Sequence, residues 1–294
     1  MSPPPTDSAS GPPRLFDPHR RALRLARAAN VFADADFLHR RAAQGAVDSL
    51  EAILRDFPAA VDLSAFPGPF AGLLADSDAA GRVPDLRSVC DARAAPGETP
   101  LPLADGSTDL IVSLMTLHWA NDLPGALSQI RRALRPDGLF LGTLFGAGTL
   151  KELRAVLTEA ELAERGGAHP RVSPFADGFD GAGLLQRAGF ALPVSDVDRV
   201  TVRYPDMFTL IRDLRAMGET GVPVGPVRPL TRTIAARAAA LYAERFGEAD
   251  GRIPATFEIV NLSGWAPSET QQKPLRPGSA KVRLADALGV KEGE

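Results

Sequence analysis

The chain reads as an α/β protein, a parallel sheet flanked by helices, and three observations lead there. A buried strand, Leu110 to Leu114, runs into the polar-aromatic turn Met115-Thr116-Leu117-His118-Trp119. A helical segment follows and ends at Leu134-Arg135-Pro136-Asp137-Gly138, and a second apolar run, Leu139 to Phe145, comes directly after it. Strand, helix and strand in so few residues form a crossover unit of a parallel sheet. Ligands of such sheets lie beyond the carboxyl ends of the strands, which is where Thr116 to Trp119 fall.

The remaining elements follow in chain order. Residues 1–13 are rich in Pro, Ser and Gly and are expected to form a disordered tail. Arg14 to Ala29 has a helical pattern with Arg20, Arg21, Arg24 and Arg27 on a basic face, either solvated or binding a phosphate or a partner. Phe37 to Phe57 continues as an amphipathic helix whose apolar members are Leu38, Ala42, Val47, Leu50, Ile53 and Leu54, closed by Pro58. Ala59 to Leu63 reads as a short buried strand. Leu150 to Glu164 is helical, and so is Gly183 to Ala188, stopped by Gly189. Val197, Arg199, Thr201 and Arg203 alternate with Val200 and Val202, so Phe190 to Tyr204 is expected to be a strand. Asp206 to Met217 and Arg232 to Phe246 are helical and form an added cap over about residues 206–247. The last strand is Thr256 to Leu262, ending at Gly264-Trp265. One domain over residues 14–267 results, followed by a basic tail, 268–294, with Lys273, Arg276, Lys281 and Arg283.

Composition narrows the function. The 294 residues suffice for a large core. With 33 basic and 36 acidic residues the net charge is −3, which argues against general nucleic-acid binding. Cys90 is the only cysteine, so intrachain disulfides and cysteine-based zinc sites are excluded. No apolar run approaches the roughly 18 residues of a membrane span, and Met1-Ser2-Pro3-Pro4-Pro5 is not a secretory start. A cytoplasmic protein is expected.

The stretch from Leu110 through Pro136-Asp137-Gly138 to Phe145 resembles the fourth strand, following helix and fifth strand of class I S-adenosylmethionine-dependent methyltransferases. That resemblance implies a Rossmann-like sheet with S-adenosylmethionine as cofactor. It also implies a first strand that ends in an acid and a Gly-x-Gly-x-Gly turn, whose glycines allow close backbone approach. The comparable stretch here is Asp62-Leu63-Ser64-Ala65-Phe66-Pro67-Gly68. Ser64 and Phe66 stand where the first two glycines belong, and only Gly68 keeps its place. A Phe ring there occupies space the methionine moiety would use, and Pro67 removes a backbone donor. The implied cofactor set is Asp62, Gly68, Thr116 and Leu117, with Asp85 or Asp91 for the ribose and Asp91 or Glu98 near the adenine. The interval from Asp62 to Asp109 is also short. Two helices of ~11 residues, two strands of ~5 and their loops would usually take roughly 55–65 residues. A shortened or missing element between the first and fourth strands is expected.

A narrower resemblance covers nearly everything except residues 64–100. Leu101 to Ser107, Asp122 to Leu127, Leu15-Phe16-Asp17, Arg171 to Phe175, Leu184 to Phe190, Arg212 to Gly218, Thr256 to Ile259, Gly264 to Pro267 and Gln271 to Lys281 occur in one order. In that order they are similar to the methyltransferase-fold assembly factors of respiratory complex I and their alphaproteobacterial relatives. The mitochondrial relative is understood to hydroxylate an arginine of a complex I subunit. The malonyl-carrier-protein O-methyltransferases of biotin synthesis share the strand-four and Pro-Asp-Gly patterns but not the tail.

Methyl transfer from a sulfonium needs mainly in-line positioning of the acceptor. His118 is the candidate base, because it lies at the end of a central strand and titrates near neutrality. Trp119 would wall the acceptor pocket, and the tail with Gln271, Gln272 and Arg276 would close over a substrate, bind an acidic partner or stay solvated. Asp122 would contact substrate or cap the next helix, with Asn121 competing for the cap. The adenine-N6 motif of Asn or Asp before Pro-Pro is absent after the fourth strand. Cys90 lacks the neighbouring Pro of a cytosine nucleophile. His39, His118 and His169 show no compact metal-ligand spacing. Three readings stay open: a methyltransferase acting on a protein, a pseudoenzyme that has lost the cofactor and works as an assembly or binding factor, and a carrier-protein O-methyltransferase of the biotin-synthesis type.

Overall fold

The structure, a computed structural model, describes residues 14–89, 99–175 and 180–271. The expected disordered tail, Cys90, Asp91, Glu98, Gln272 and Arg276 lie outside the described residues. Eight α-helices and six strands alternate among them: α1 (Pro18–Ala28), α2 (Phe37–Glu51), β1 (Ala60–Asp62), α3 (Gly68–Ala75), β2 (Leu86–Ser88) and β3 (Thr108–Leu114). Then come α4 (Leu123–Ala133), β4 (Leu134–Phe145), α5 (Lys151–Arg165), α6 (Gly181–Arg187), β5 (Ala191–Tyr204), α7 (Met207–Ala216), α8 (Arg232–Phe246) and β6 (Ile253–Trp265). The sheet order is β2-β1-β3-β4-β6-β5, with β2, β1, β3 and β4 parallel and β6 antiparallel to both β4 and β5.

Alternation along β3 explains how both faces are covered, since successive strand residues point to opposite sides. Leu110, Val112 and Leu114 pack with Ala43, Val47 and Leu50 of α2 and Phe70 and Leu74 of α3. Ile111 faces the other way, joining Phe140 and Leu144 of β4, Leu127 and Ile130 of α4 and Leu185 of α6. The expected strand–helix–strand unit is thus β3-α4-β4. A third apolar cluster lies at the outer end, where α7 and α8 share a core with α5, Leu38 and Ala42 of α2, and Ala255, Phe257 and Ile259 of β6.

Several boundaries differ from those read in the sequence. Helix α2 stops at Glu51 rather than Phe57. Phe57 instead turns into the core, its N–H donating to Arg82 O, and Leu54 points into solvent, so the apolar run here is not one helical stripe. Strand β4 begins at Leu134, and β6 at Ile253. The region after β1 is compressed: α3 has 8 residues and β2 only 3. Gly189 ends α6 with φ +88, as its position implied.

Candidate functional site

The carboxyl ends of β1 and β3 meet at a turn that the chain closes with its own groups. Met115 takes a left-handed conformation, φ 52, as β3 ends, and its N–H donates to Thr143 O at 2.9 Å. This bend turns residues 116–119 across the strand end. Thr116 Oγ1 accepts the Ala65 N–H at 2.9 Å and donates to Leu114 O at 3.0 Å. Ser64 is buried; its Oγ accepts the Leu114 N–H at 2.8 Å, and its own N–H donates to Asp62 Oδ1 at 2.7 Å. Phe66 stacks on Phe32, ring centroids 3.9 Å apart, and His39 stands edge-on to both rings. Asp62 Oδ2 is buried without a hydrogen-bond partner among the described residues, and burial pushes the Asp62 carboxyl above its ordinary pKa.

The other expected cofactor residues separate. Gly68 is exposed at the start of α3, and a Cβ added there would meet nothing within 4 Å, so no close approach requires glycine. Leu117 is buried in the cluster of Ile111 and Leu127. Asp85 is exposed and lies at the amino end of β2, where its carbonyl accepts the Ala60 N–H at 3.0 Å. An acid holding a ribose belongs at the opposite end of that strand.

Beside this turn lies a buried ionic cluster centred on Glu219, which follows α7. Glu219 Oε2 accepts from His118 Nε2 and from Trp119 Nε1–H, each at 2.8 Å, and Oε1 accepts from Arg21 Nη2 at 3.0 Å. Arg21 also donates to Gly218 O and places its guanidinium carbon 4.9 Å from the centroid of the Trp119 ring. Gly218, at φ +76 with Leu25 Cδ2 3.3 Å from where a Cβ would be, makes the turn that aims Glu219 inward. The segment carrying Arg21 is held by Asn121, whose Oδ1 accepts from the Leu15 and Phe16 N–H groups, and by a bridge from Phe16 to Pro223. Phe145 and Phe175 close the remaining sides, their rings 4.9 and 5.5 Å from that of His118.

Electrostatics fix the protonation of this cluster. Burial works to raise the Glu219 carboxyl, but Arg21 and then His118 outweigh it and hold the pKa at about 2. Burial lowers His118, against the pull of Glu219, so the ring is neutral near pH 7. A carboxylate only accepts, so His118 Nε2 carries the proton and Nδ1 keeps a bare lone pair. That Nδ1 is buried without a partner among the described residues, as is Nδ1 of His39, which burial lowers to about 4. His118 is thus oriented by a carboxylate and keeps a lone pair without a partner among the described residues, which is the geometry a proton acceptor would need. A cavity of about 160 Å³ opens beside the cluster, with Glu219, Phe175, Ser173 and Arg171 among its lining residues.

One open alternative is decided and one placement differs. Asp122 caps α4, its Oδ1 accepting the Gly125 N–H at 2.8 Å, and Asn121 serves the N-terminal segment instead. Gln271 lies at the far end of the sheet, where its Nε2 donates to Asp137 Oδ1 and Ala266 O. Asp137 precedes Leu139, which pairs with Leu110 at the amino end of β3, so Gln271 does not reach Trp119. Glu219 and Arg21 were not singled out as site residues. The motif Arg212 to Gly218 stops one residue short, and Arg21 reads as one of several helix-face arginines.

Fold and site define a methyltransferase-domain protein. Residues 72–142 match the family described as Methyltransferase domain, a match that begins four residues after Gly68. The mouse protein "Arginine-hydroxylase NDUFAF5, mitochondrial" is 38% identical over 269 residues, 85% of this chain and 76% of its own. The zebrafish protein of the same name is 45% identical over 186 residues, 63% of this chain and 58% of its own length. A malonyl-[acyl-carrier protein] O-methyltransferase of Laribacter hongkongensis is 38% identical over 179 residues, 60% of this chain and 58% of its own. The chain belongs to the NDUFAF5 arginine-hydroxylase family. Among the described residues no helix is long and apolar enough to cross a membrane, and no group of three His, Cys, Asp or Glu is placed to hold a metal.

Proposed function

We propose that this chain is a cytoplasmic assembly factor on a methyltransferase fold that acts on a subunit of respiratory complex I and no longer takes up S-adenosylmethionine. The observation that carries the reading is the closed turn after β1. Its amides at Ser64 and Ala65 are committed to Asp62 and Thr116, and the Ser64 hydroxyl is bonded into β3. Phe66 fills the remaining space by stacking on Phe32. A backbone that must approach a nucleoside closely needs free donors and no side chain in the way. These residues do not fit the cofactor.

The partner half is intact by contrast. The His118–Glu219–Arg21–Trp119 cluster costs desolvation to bury three ionisable groups, which favours a retained role there over simple packing. The relatives' name supports an arginine side chain as the group recognised on the partner.

One observation favours a second reading, methyl transfer to a protein or carrier-protein acceptor. Asp62 keeps a buried, unpartnered oxygen that a ligand's hydroxyl or ammonium group would satisfy. Incubating the chain with isolated complex I subunits and tritiated S-adenosylmethionine separates the two. Retention of a subunit with no tritium incorporated is expected. Tritium transferred to protein would establish the second reading.

A further inference from the structure

Away from the Glu219 cluster, helices α1 and α7 face each other across a cleft of about 630 Å³. Arg24 and Arg27 line it from α1, and Arg212 and Arg215 from α7. Each pair is spaced i,i+3, so both guanidiniums of a helix fall on one side of it. None of the four has an ion-pair partner among the described residues, whereas Arg20 and Arg21 on the same helix are both paired. Their mutual repulsion is felt: Arg24 is lowered first by burial and then by Arg27, Arg215 and Arg20. The four arginines outnumber the two acids of the cleft, Asp34 and Asp213, and that excess of like charge is an electrostatic cost that an anionic ligand would relieve.

We infer that this cleft is a docking site for an acidic, partly apolar peptide segment of a protein partner, a proposal that rests on the protein-directed reading above. Two features favour a peptide over a phosphate ester. The positive charges are distributed along two helices, with the apolar Val31, Ala35 and Ala216 between them, a surface that matches alternating carboxylate and apolar side chains. Asp34 and Asp213 also line the cleft, and an extended segment can set its carboxylates beside the arginines and away from these two acids, which a compact, multiply charged phosphate cannot.

The test uses the full chain and a fluorescein-labelled dodecapeptide of alternating Glu and Leu, followed by fluorescence anisotropy. Binding is expected to weaken with added salt and to fall roughly tenfold or more in the double variant Arg24→Glu/Arg215→Glu. The milder pair Arg24→Gln/Arg215→Gln covers the case in which charge reversal unfolds the chain. Arg187→Glu/Arg232→Glu, which removes the same charge elsewhere, is expected to bind as the wild type does. An equal loss in that control would assign the binding to bulk charge and overturn the proposal. So would absence of peptide binding, or displacement of the peptide by inorganic pyrophosphate at lower concentration than by unlabelled peptide. A negative result here with no tritium transfer leaves the cofactor-free reading standing, so the two fail separately.

Discussion

At the scale of single residues, Glu219 organises the molecule's most polar interior. It joins residues that are 198 and 101 positions distant in sequence, Arg21 and His118. Removing its charge leaves Arg21 buried without a counter-ion, and breaking one side of such a pair costs ~3–5 kcal/mol. Glu219→Gln is therefore expected to lower the urea midpoint sharply, while Glu159→Gln, on an exposed pair with Arg245, leaves it nearly unchanged. His39 supplies a pH dependence. Its folded pKa is about 4 against an ordinary 6.5, so below 6.5 the unfolded chain binds a proton that the folded chain refuses. Stability from this group is complete above pH 6.5, falls by ~3 kcal/mol as pH drops towards 4, and levels off below that. Urea titrations at pH 7.5 and 4.5 are expected to show a smaller difference in His39→Leu than in the wild type; an unchanged difference would refute the assignment. The orientation of these side chains was hidden in the sequence for a physical reason. An isolated acid after a glycine has no periodicity, and its role arises only when remote segments meet.

At the scale of elements, the chain's local signals were strong where strands and helices are amphipathic. The alternation in β5, the apolar run of β3 and the glycine after α6 were all legible, because each reflects a local rule of period or conformation. The end of α2 was not, because tertiary packing draws Phe57 into the core and overrides the helical spacing. Asp122 could be read either as a cap or as a ligand contact, and its bond to the Gly125 N–H decides for the cap. Asp122→Ala is expected to cost about 1 kcal/mol in thermal unfolding. The turn between α7 and Glu219 depends on a left-handed glycine. Gly218→Ala should destabilise by ~1–2 kcal/mol and raise amide exchange at Glu219. The link between β1 and β3 is equally specific. Thr116→Val removes the acceptor of the Ala65 N–H, and faster hydrogen exchange at Ala65 is the expected result.

At the scale of the whole molecule, two candidate half-sites lie near the carboxyl ends of the strands of one sheet. The strand-end turn at Thr116 to Trp119, where the proposed acceptor half lies, was legible from pattern alone. Its cast was only partly legible: His118 and Trp119 were named, whereas Arg21 and Glu219 come from segments whose local sequence gives no hint of convergence. The cofactor half was legible by what the turn lacks, Ser64 and Phe66 standing in glycine positions. How those two residues close the turn depends on β3 and on Phe32, partners remote in sequence. Closure of this turn is proposed to exclude S-adenosylmethionine, and calorimetry of that ligand against the wild type and Ser64→Gly/Phe66→Gly tests this most directly. No heat of binding to the wild type and recovered binding in the double glycine variant are predicted. Micromolar binding to the wild type that is lost on Asp62→Ala would contradict the account.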